Sequence, residues 1–230
     1  ITVDGWRNES SGTMQVVSGP VGREKIHYEA PAADRLEAEM NRFIKWFNAG
    51  AEMDIIMKSA LAHFWFITIH PFDDGNGRIG RAISDMLLAR SEKSAQRFYS
   101  MSSQIQRERN TYYRVLETCQ KGTLNITAWI EWLLGCLKRA IVSSEETLEA
   151  ILIKARFWES HAGESFNERQ RSIINRLVDG FEGKLTSSKW SKIGKCSQDT
   201  ALRDINNLIE RKILTKSGAG GRSTSYTLIV

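Results

Sequence analysis

The sequence predicts a mainly α protein: a helical bundle with a small β-hairpin flap, followed by a C-terminal winged helix-turn-helix domain. Three observations carry that prediction. Only three prolines in 230 residues leave long stretches free to stay helical. Apolar residues recur at helical spacing through most of the chain. From about Ser165 the pattern changes to short elements that end in a glycine-rich turn between two β-like runs. With 41% hydrophobic and 26% charged residues, the composition is that of a globular chain able to bury a sizeable core.

Residues 1–30 are rich in Gly and Ser, and "MQVVSG" and "EKIHYEA" flank Gly19-Pro20 as the strands of a hairpin or extended flap. Pro31 opens a helical pattern in which Leu36, Met40, Phe43, Ile44 and Phe47 share a face, closed by Asn48-Ala49-Gly50. A second helix, from about Met53 to Ile69, is apolar on several sides and belongs in the middle of a bundle. Pro71 ends it, because the residue before a proline is pushed out of the α region. A third helix runs from about Gly77 to Arg90. Two more are expected near Ser102–Lys121 and Ile126–Phe157, the latter broken or bent around "VSSEE". These helices make a core domain over 31–160. The winged helix-turn-helix covers 165–230, with the boundary at "SHAGESF".

No apolar run approaches the roughly 18 residues of a membrane span, and the start, "ITVDGWRNESSG", is too polar for a signal peptide. Cys119, Cys136 and Cys196 are odd in number, far apart and without metal-type spacing, which disfavours a disulfide framework or zinc knuckle and fits a reducing cytoplasm. The start also lacks an initiator methionine, so residues upstream of Ile1 are expected to be missing. The net charge of +5 is uneven: residues 165–230 hold 12 of the 32 Lys and Arg but 6 of the 27 Asp and Glu, leaving 20 against 21 elsewhere. The basic character marks a partner surface in the C-terminal segment.

Chemistry concentrates in "TIHPFDDGNGRIGR", Thr68 to Arg81, where two apolar runs meet. Gly75-Asn76-Gly77 sits where a loop becomes a helix, so successive N–H groups can form an anion-binding concavity at the positive helix end. Arg78 and Arg81, three apart, can share one helix face and suit phosphate. Asp73 or Asp74 can hold Mg²⁺ against the same phosphates. His70, across the loop, can take a proton from an attacking hydroxyl near neutral pH. Positioning, charge neutralisation and one base are what phosphoryl or nucleotidyl transfer requires. Read from residue types alone, the same segment also makes a good polar turn.

"HPFDDGNGRIGR" resembles the signature of the Fic family along its whole length: His, any residue, Phe, any residue, Asp or Glu, Gly-Asn-Gly-Arg, two residues, Arg. The segments "SALAHFWFITIHPF" and "RFYSMSSQIQRERNTYYRVLE" look like the Fic core of bacterial proteins that carry a C-terminal winged helix. The resemblance implies transfer of AMP from ATP, with Mg²⁺, to a Tyr, Thr or Ser hydroxyl of a target protein, itself included, with release of pyrophosphate. It assigns His70 as general base, Asp74 as the Mg²⁺ carboxylate, Gly75, Asn76 and Gly77 as the anion hole, and Arg81 as a phosphate clamp. Arg78 matches the motif and partly braces the loop, Phe72 anchors it, and Tyr112 and Tyr113 follow "RERN" where the family places an aromatic near the nucleotide base. "VVSGPVGREKIHYEAP" resembles the flap that registers the target peptide by strand addition. Many Fic proteins also carry an inhibitory helix with Ser/Thr-x-x-x-Glu. Thr127 to Glu131 and Ser160 to Glu164 fit that loose spacing without the Gly or Asn that should follow, so such a helix, if there is one, is expected before Ile1. Alternatives are a Fic fold that transfers another phosphate-containing group or removes AMP, and a DNA-binding regulator whose core only senses nucleotide.

In the winged-helix reading, "SQDTALRDINNLIERKI" is the recognition helix, N-capped by Ser197 and buried along Ala201, Ile205, Leu208 and Ile209. Arg203, Arg211, Lys212, Lys216 and Arg222 supply a positive face for DNA, although the module equally suits protein docking or homodimerisation. No membrane partner is expected.

Overall fold

The structure, a computed structural model, describes residues 5–20, 22–50, 53–92, 97–123, 125–217 and 224–229. The chain divides into two compact units, Ile1–Ser144 and Glu145–Val230. Among the described residues no helix is long and apolar enough to cross a membrane.

The first unit begins with the predicted hairpin, β1 (Gln15–Ser18) antiparallel to β2 (Lys25–Glu29), with a register shift between Val16 and Val17. Helix α1 (Leu36–Asn48) buries Leu36, Met40 and Phe43, while Ile44 on its predicted apolar face is left exposed. Helix α2 (Ile55–Ile69) starts at Asp54, whose carboxylate accepts from the N–H groups of Ile56 and Met57 at 2.9 and 3.1 Å. As its all-round apolar pattern predicts, α2 is the hub of the bundle. Lys58, Ser59, Ala60, Ala62, His63, Phe66, Ile67 and Ile69 are all buried. The polar ones among them find partners: Lys58 Nζ donates to the Ala49 carbonyl at 2.8 Å, and the Ser59 and Ser84 hydroxyls lie 2.8 Å apart. Trp129 donates its indole N–H to the Ala60 carbonyl at 2.8 Å.

Helix α3 (Asn76–Glu92) packs close on α2 at Gly80. A Cβ there would lie 2.8 Å from Cδ1 and 3.0 Å from Cγ1 of Ile67 and 3.4 Å from the His63 ring. Glycine is what lets the two helices that flank the loop meet this closely. Gly80→Val is expected to destabilise the protein by about 2 kcal/mol through overpacking, seen as a lower urea midpoint.

Two expectations change. The single helix expected over 102–121 is two, α4 (Met101–Arg107) and α5 (Arg109–Lys121), which meet at Glu108 with φ −103° and ψ 21°. Its carboxylate receives Nε and Nη2 of Arg139, both at 2.6 Å, and the Gln104 amide. Tertiary hydrogen bonds thus coincide with a break that no Gly or Pro announces. Conversely, α6 (Thr127–Ser160) runs unbroken through "VSSEE". Ser143 accepts from Arg107 at 2.9 Å and Ser144 donates to the Phe98 carbonyl, so these serines make contacts across the bundle and the helix continues.

The second unit has its own core, which includes Phe157, Ile173, Ile174, Trp190, Ala201, Ile205, Leu208 and Tyr226. Phe157, and Trp158 packed beside it, lie on residues that the sequence pattern joins to the 31–160 segment. Helix α7 (Glu168–Val178) opens with an Asn167/Gln170 capping box, α8 (Ser187–Gly194) with Thr186, and α9 (Gln198–Glu210) with Ser197, whose hydroxyl accepts from Thr200 N. Strands β3 (Leu214–Lys216) and β4 (Tyr226–Leu228) pair antiparallel. Ala201, Ile205 and Leu208 are wholly buried, whereas Ile209 packs only at the core's edge. The turn between the strands, including Arg222, lies outside the described residues.

Candidate active site

The loop between α2 and α3 is fixed from both ends. His70 caps α2 in the left-handed region, φ 51° and ψ 58°, a conformation His adopts more readily than most residues. Its Nδ1 lies 3.2 Å from the Ile67 carbonyl. That oxygen can only accept, so Nδ1 carries the proton and the lone pair falls on Nε2. Burial pushes the His70 pKa below its ordinary 6.5, the Ile67 hydrogen bond opposes this, and the nearby Arg7 charge adds to it. The imidazole is thereby kept neutral, as a base must be.

Arg7 is 3% exposed and stitches this turn together. Its Nε donates to the His70 carbonyl at 2.9 Å, Nη2 donates to the carbonyls of Pro31 and Ile69, and its backbone N–H donates to the Pro71 carbonyl at 2.9 Å. Nothing in the sequence singles out Arg7, because its partners are backbone carbonyls and leave no side-chain pattern.

On the far side, Asn76 is buried and its amide grips the backbone of Phe72: Oδ1 accepts from Phe72 N at 3.0 Å and Nδ2 donates to Phe72 O at 2.6 Å. The Asn76 side chain is therefore a brace across the loop; what it can offer an anion is its backbone N–H. Gly75 has φ +86°, open to glycine and costly for other residues. Its carbonyl receives the N–H groups of Arg78 and Ile79 at 2.9 and 3.0 Å. The N–H groups of Asn76 and Gly77, first in α3, precede that ladder and stand at the positive helix end. The Arg81 guanidinium lies over Gly77, with Nη1 3.5 Å from where a Cβ would be. Among the described residues no carboxylate pairs with it. Arg78 instead reaches Asp74 at 3.2 Å, an ion pair exposed enough to contribute little to stability. Asp73 lies close enough to Arg7 to support its charge.

These groups line one open cavity of about 900 Å³, shared with Gln15 to Ser18 and His27 of the hairpin and with Arg109, Tyr112 and Tyr113 of α5. The volume is that of a site for a nucleotide-sized ligand. The two tyrosines differ. Tyr112 is 4% exposed and shares a 3.2 Å hydrogen bond with His63 Nε2, whereas Tyr113 is half exposed, edge-on to Tyr112, with Arg109 over its ring.

His63 escaped sequence reasoning because one histidine in an apolar helix carries no motif. Desolvation foremost, with the Arg81 charge second, pushes its pKa down to about 3. Between that value and the ordinary 6.5, the unfolded chain binds a proton that the folded one refuses. Stability is thus full above about pH 6.5 and is expected to fall by roughly 1 kcal/mol per pH unit below it. Urea unfolding of wild type and His63→Gln at about pH 7 and about pH 5 checks this, with the variant expected to lose less on acidification.

With this geometry in hand, residues 6–88 match the Fic/DOC family model. The chain is similar to the protein adenylyltransferase Fic of Drosophila yakuba, 29% identical over 169 residues, covering 67% of this chain and 32% of that protein. The protein adenylyltransferase Fic of Drosophila melanogaster is 28% identical over the same length and coverage. The chain thus spans about a third of the length of these curated relatives. Its fold is similar to that of a Fic family protein from Desulfovibrio desulfuricans G20, with TM-score 0.51 and 23% identity, over 98% of this chain and 62% of that one.

Proposed function

We propose that the chain is a protein adenylyltransferase that moves AMP from ATP to a hydroxyl side chain of a protein. The observation that carries the reading is one cavity holding both a base with a free lone pair, His70, and a guanidinium with no carboxylate partner among the described residues, Arg81, above a helix N-terminus. His70 Nε2 accepts the hydroxyl proton as the oxygen attacks the α-phosphorus of ATP. The N–H groups of Asn76 and Gly77 and the Arg81 guanidinium bind the β- and γ-phosphates and offset the charge that develops on the departing pyrophosphate. Arg78 holds Asp74 and steadies the loop, Tyr113 offers an accessible ring face to the base, and Tyr112 supports it from below. The hairpin registers the target segment beside the site.

Asp74 fits a Mg²⁺ ligand. Its carboxylate is exposed on the cavity wall, with only Oδ2 engaged by Arg78, and among the described residues no group of three His, Cys, Asp or Glu side chains could hold a metal alone. That suits an ion that takes one carboxylate and draws its other ligands from phosphate and water. When bound, Mg²⁺ would neutralise phosphate charge.

In the second unit we infer a winged helix-turn-helix with α9 as its exposed helix. Arg211 is held by Glu164 at 3.0 and 2.5 Å, and Asp204 is held by Arg169 at 2.8 Å, so the charges left on α9 and just after it are Arg203 and Lys212 against Asp199 and Glu210. So modest a face favours protein docking, a second copy included, over DNA. Three free cysteines support a cytoplasmic setting.

Incubation with ATP labelled at the α- or the γ-phosphate tests the reaction. The α label is expected in the protein fraction and the γ label in free pyrophosphate. Protein-bound γ label would replace adenylyl transfer with phosphorylation, and sequence-specific DNA binding without any transfer would favour a nucleotide-sensing regulator.

A further inference from the structure

The hairpin carries an array that the proposed mechanism does not use. Ser18 of β1, His27 of β2 and Glu117 of α5 form a hydrogen-bonded chain, with Ser18 Oγ 2.6 Å from His27 Nε2 and His27 Nδ1 2.7 Å from Glu117 Oε2. Lys121 donates to Glu117 Oε1 at 2.7 Å and Lys25 lies 4.0 Å from the same oxygen. The Lys121 hydrogen bond foremost, then that of His27, lowers the Glu117 pKa to about 2, so the carboxylate is an anion at neutral pH. An anionic oxygen accepts, which puts the imidazole proton on Nδ1 and leaves Nε2 to accept the Ser18 O–H. A serine hydroxyl bonded to an imidazole that a carboxylate orients is the arrangement that activates a nucleophile.

All three residues line the cavity that holds His70, Gly77 and Arg81. The other hydroxyls on its wall are placed differently. Tyr28 donates to the Thr68 carbonyl at 2.7 Å, and the Tyr112 hydroxyl is buried against His63. Tyr113 has no imidazole or carboxylate in hydrogen-bond reach among the described residues. Ser18 is thus the exposed cavity hydroxyl with a base already attached.

We propose that Ser18 is an adenylyl acceptor on this chain itself, with His27 as its base and Glu117 holding that base in position, an inference that rests on the adenylyl-transfer reading. Ser18 Oγ attacks the α-phosphorus of ATP. The Oγ–P bond forms, the P–O bond to pyrophosphate breaks, the hydroxyl proton passes to His27 Nε2, and pyrophosphate leaves. The resulting imidazolium is stabilised by Glu117.

Peptide mapping by mass spectrometry, after incubating the purified chain with ATP and Mg²⁺, tests the assignment. AMP is expected on the peptide that contains Ser18, absent in Ser18→Ala and retained in Ser18→Thr, which keeps a hydroxyl on a strand-compatible residue. His27→Gln is expected to lower Ser18 occupancy about 100-fold relative to AMP on any other acceptor, as loss of a general base does. AMP on other residues or on added proteins with none on Ser18 would overturn the inference and leave adenylyl transfer standing. Undiminished Ser18 labelling in His27→Gln would reject the activated-serine array. No transfer to any protein would overturn both readings.

Discussion

His70→Ala is expected to lower AMP transfer to an added protein acceptor by roughly 100- to 10,000-fold, the range for removing a general base, with nucleotide binding retained. Nδ1 is tied to the Ile67 carbonyl, so the base has one orientation and one available lone pair. No second imidazole is in position to replace it for such an acceptor, since His63 is buried under the site and His27 is committed to Ser18 and Glu117. Alanine would also be strained at φ 51°, at a cost of about 1 kcal/mol. His70→Asn separates the two effects, because asparagine tolerates the left-handed region without supplying a base. It is expected to match the alanine variant in rate while unfolding closer to wild type. Because burial lowers the His70 pKa, its imidazole stays neutral to lower pH than an ordinary histidine, and the acid limb of the wild-type rate profile is expected below pH 6.5.

Arg7→Met is expected to destabilise the first unit by about 3 kcal/mol and to reduce transfer as well. Methionine keeps an apolar stem but removes the donors that reach the carbonyls of His70, Pro31 and Ile69. Buried acceptors left without partners cost about 1–3 kcal/mol each when no water can enter, and here the chain can relax to expose some of them. The rate falls because Arg7 no longer ties the His70 turn to the Pro31 carbonyl. Thermal unfolding and single-turnover transfer read the two effects separately, and Arg7→Lys, which keeps one donor group, is expected to fall between.

The motif loop was legible because each device in it has a local signature. Pro71 ends α2, Gly75 permits a positive φ, and the arginines recur on one face of α3. The hub position of α2 was legible from apolar residues on all sides. What could not be read depends on distant partners. Glu108 lies at a break between two helices and receives Arg139, 31 residues away, while Ser143 and Ser144 fail to break α6 because Arg107 and Phe98 engage them. That the Asn76 side-chain amide braces Phe72, leaving its backbone N–H for an anion, is a distinction that spacing does not encode. Arg7, His63 and the Ser18–His27–Glu117 chain join residues from 9 to 90 positions apart, and only the fold brings them together.

In the proposed reaction one loop divides its labour, with a base on the α2 side and a polyphosphate cradle on the α3 side. Calorimetric titration of ATP with Mg²⁺ into His70→Asn and Arg81→Ala, paired with transfer of α-labelled AMP by each, tests it most directly. His70→Asn is expected to bind ATP as wild type does and to transfer almost none to an added protein, while Arg81→Ala loses at least 10-fold in affinity, on the order of what removing a charged hydrogen-bond donor costs. Full-rate transfer to an added protein by His70→Asn, or undiminished ATP affinity in Arg81→Ala, would rule out that division.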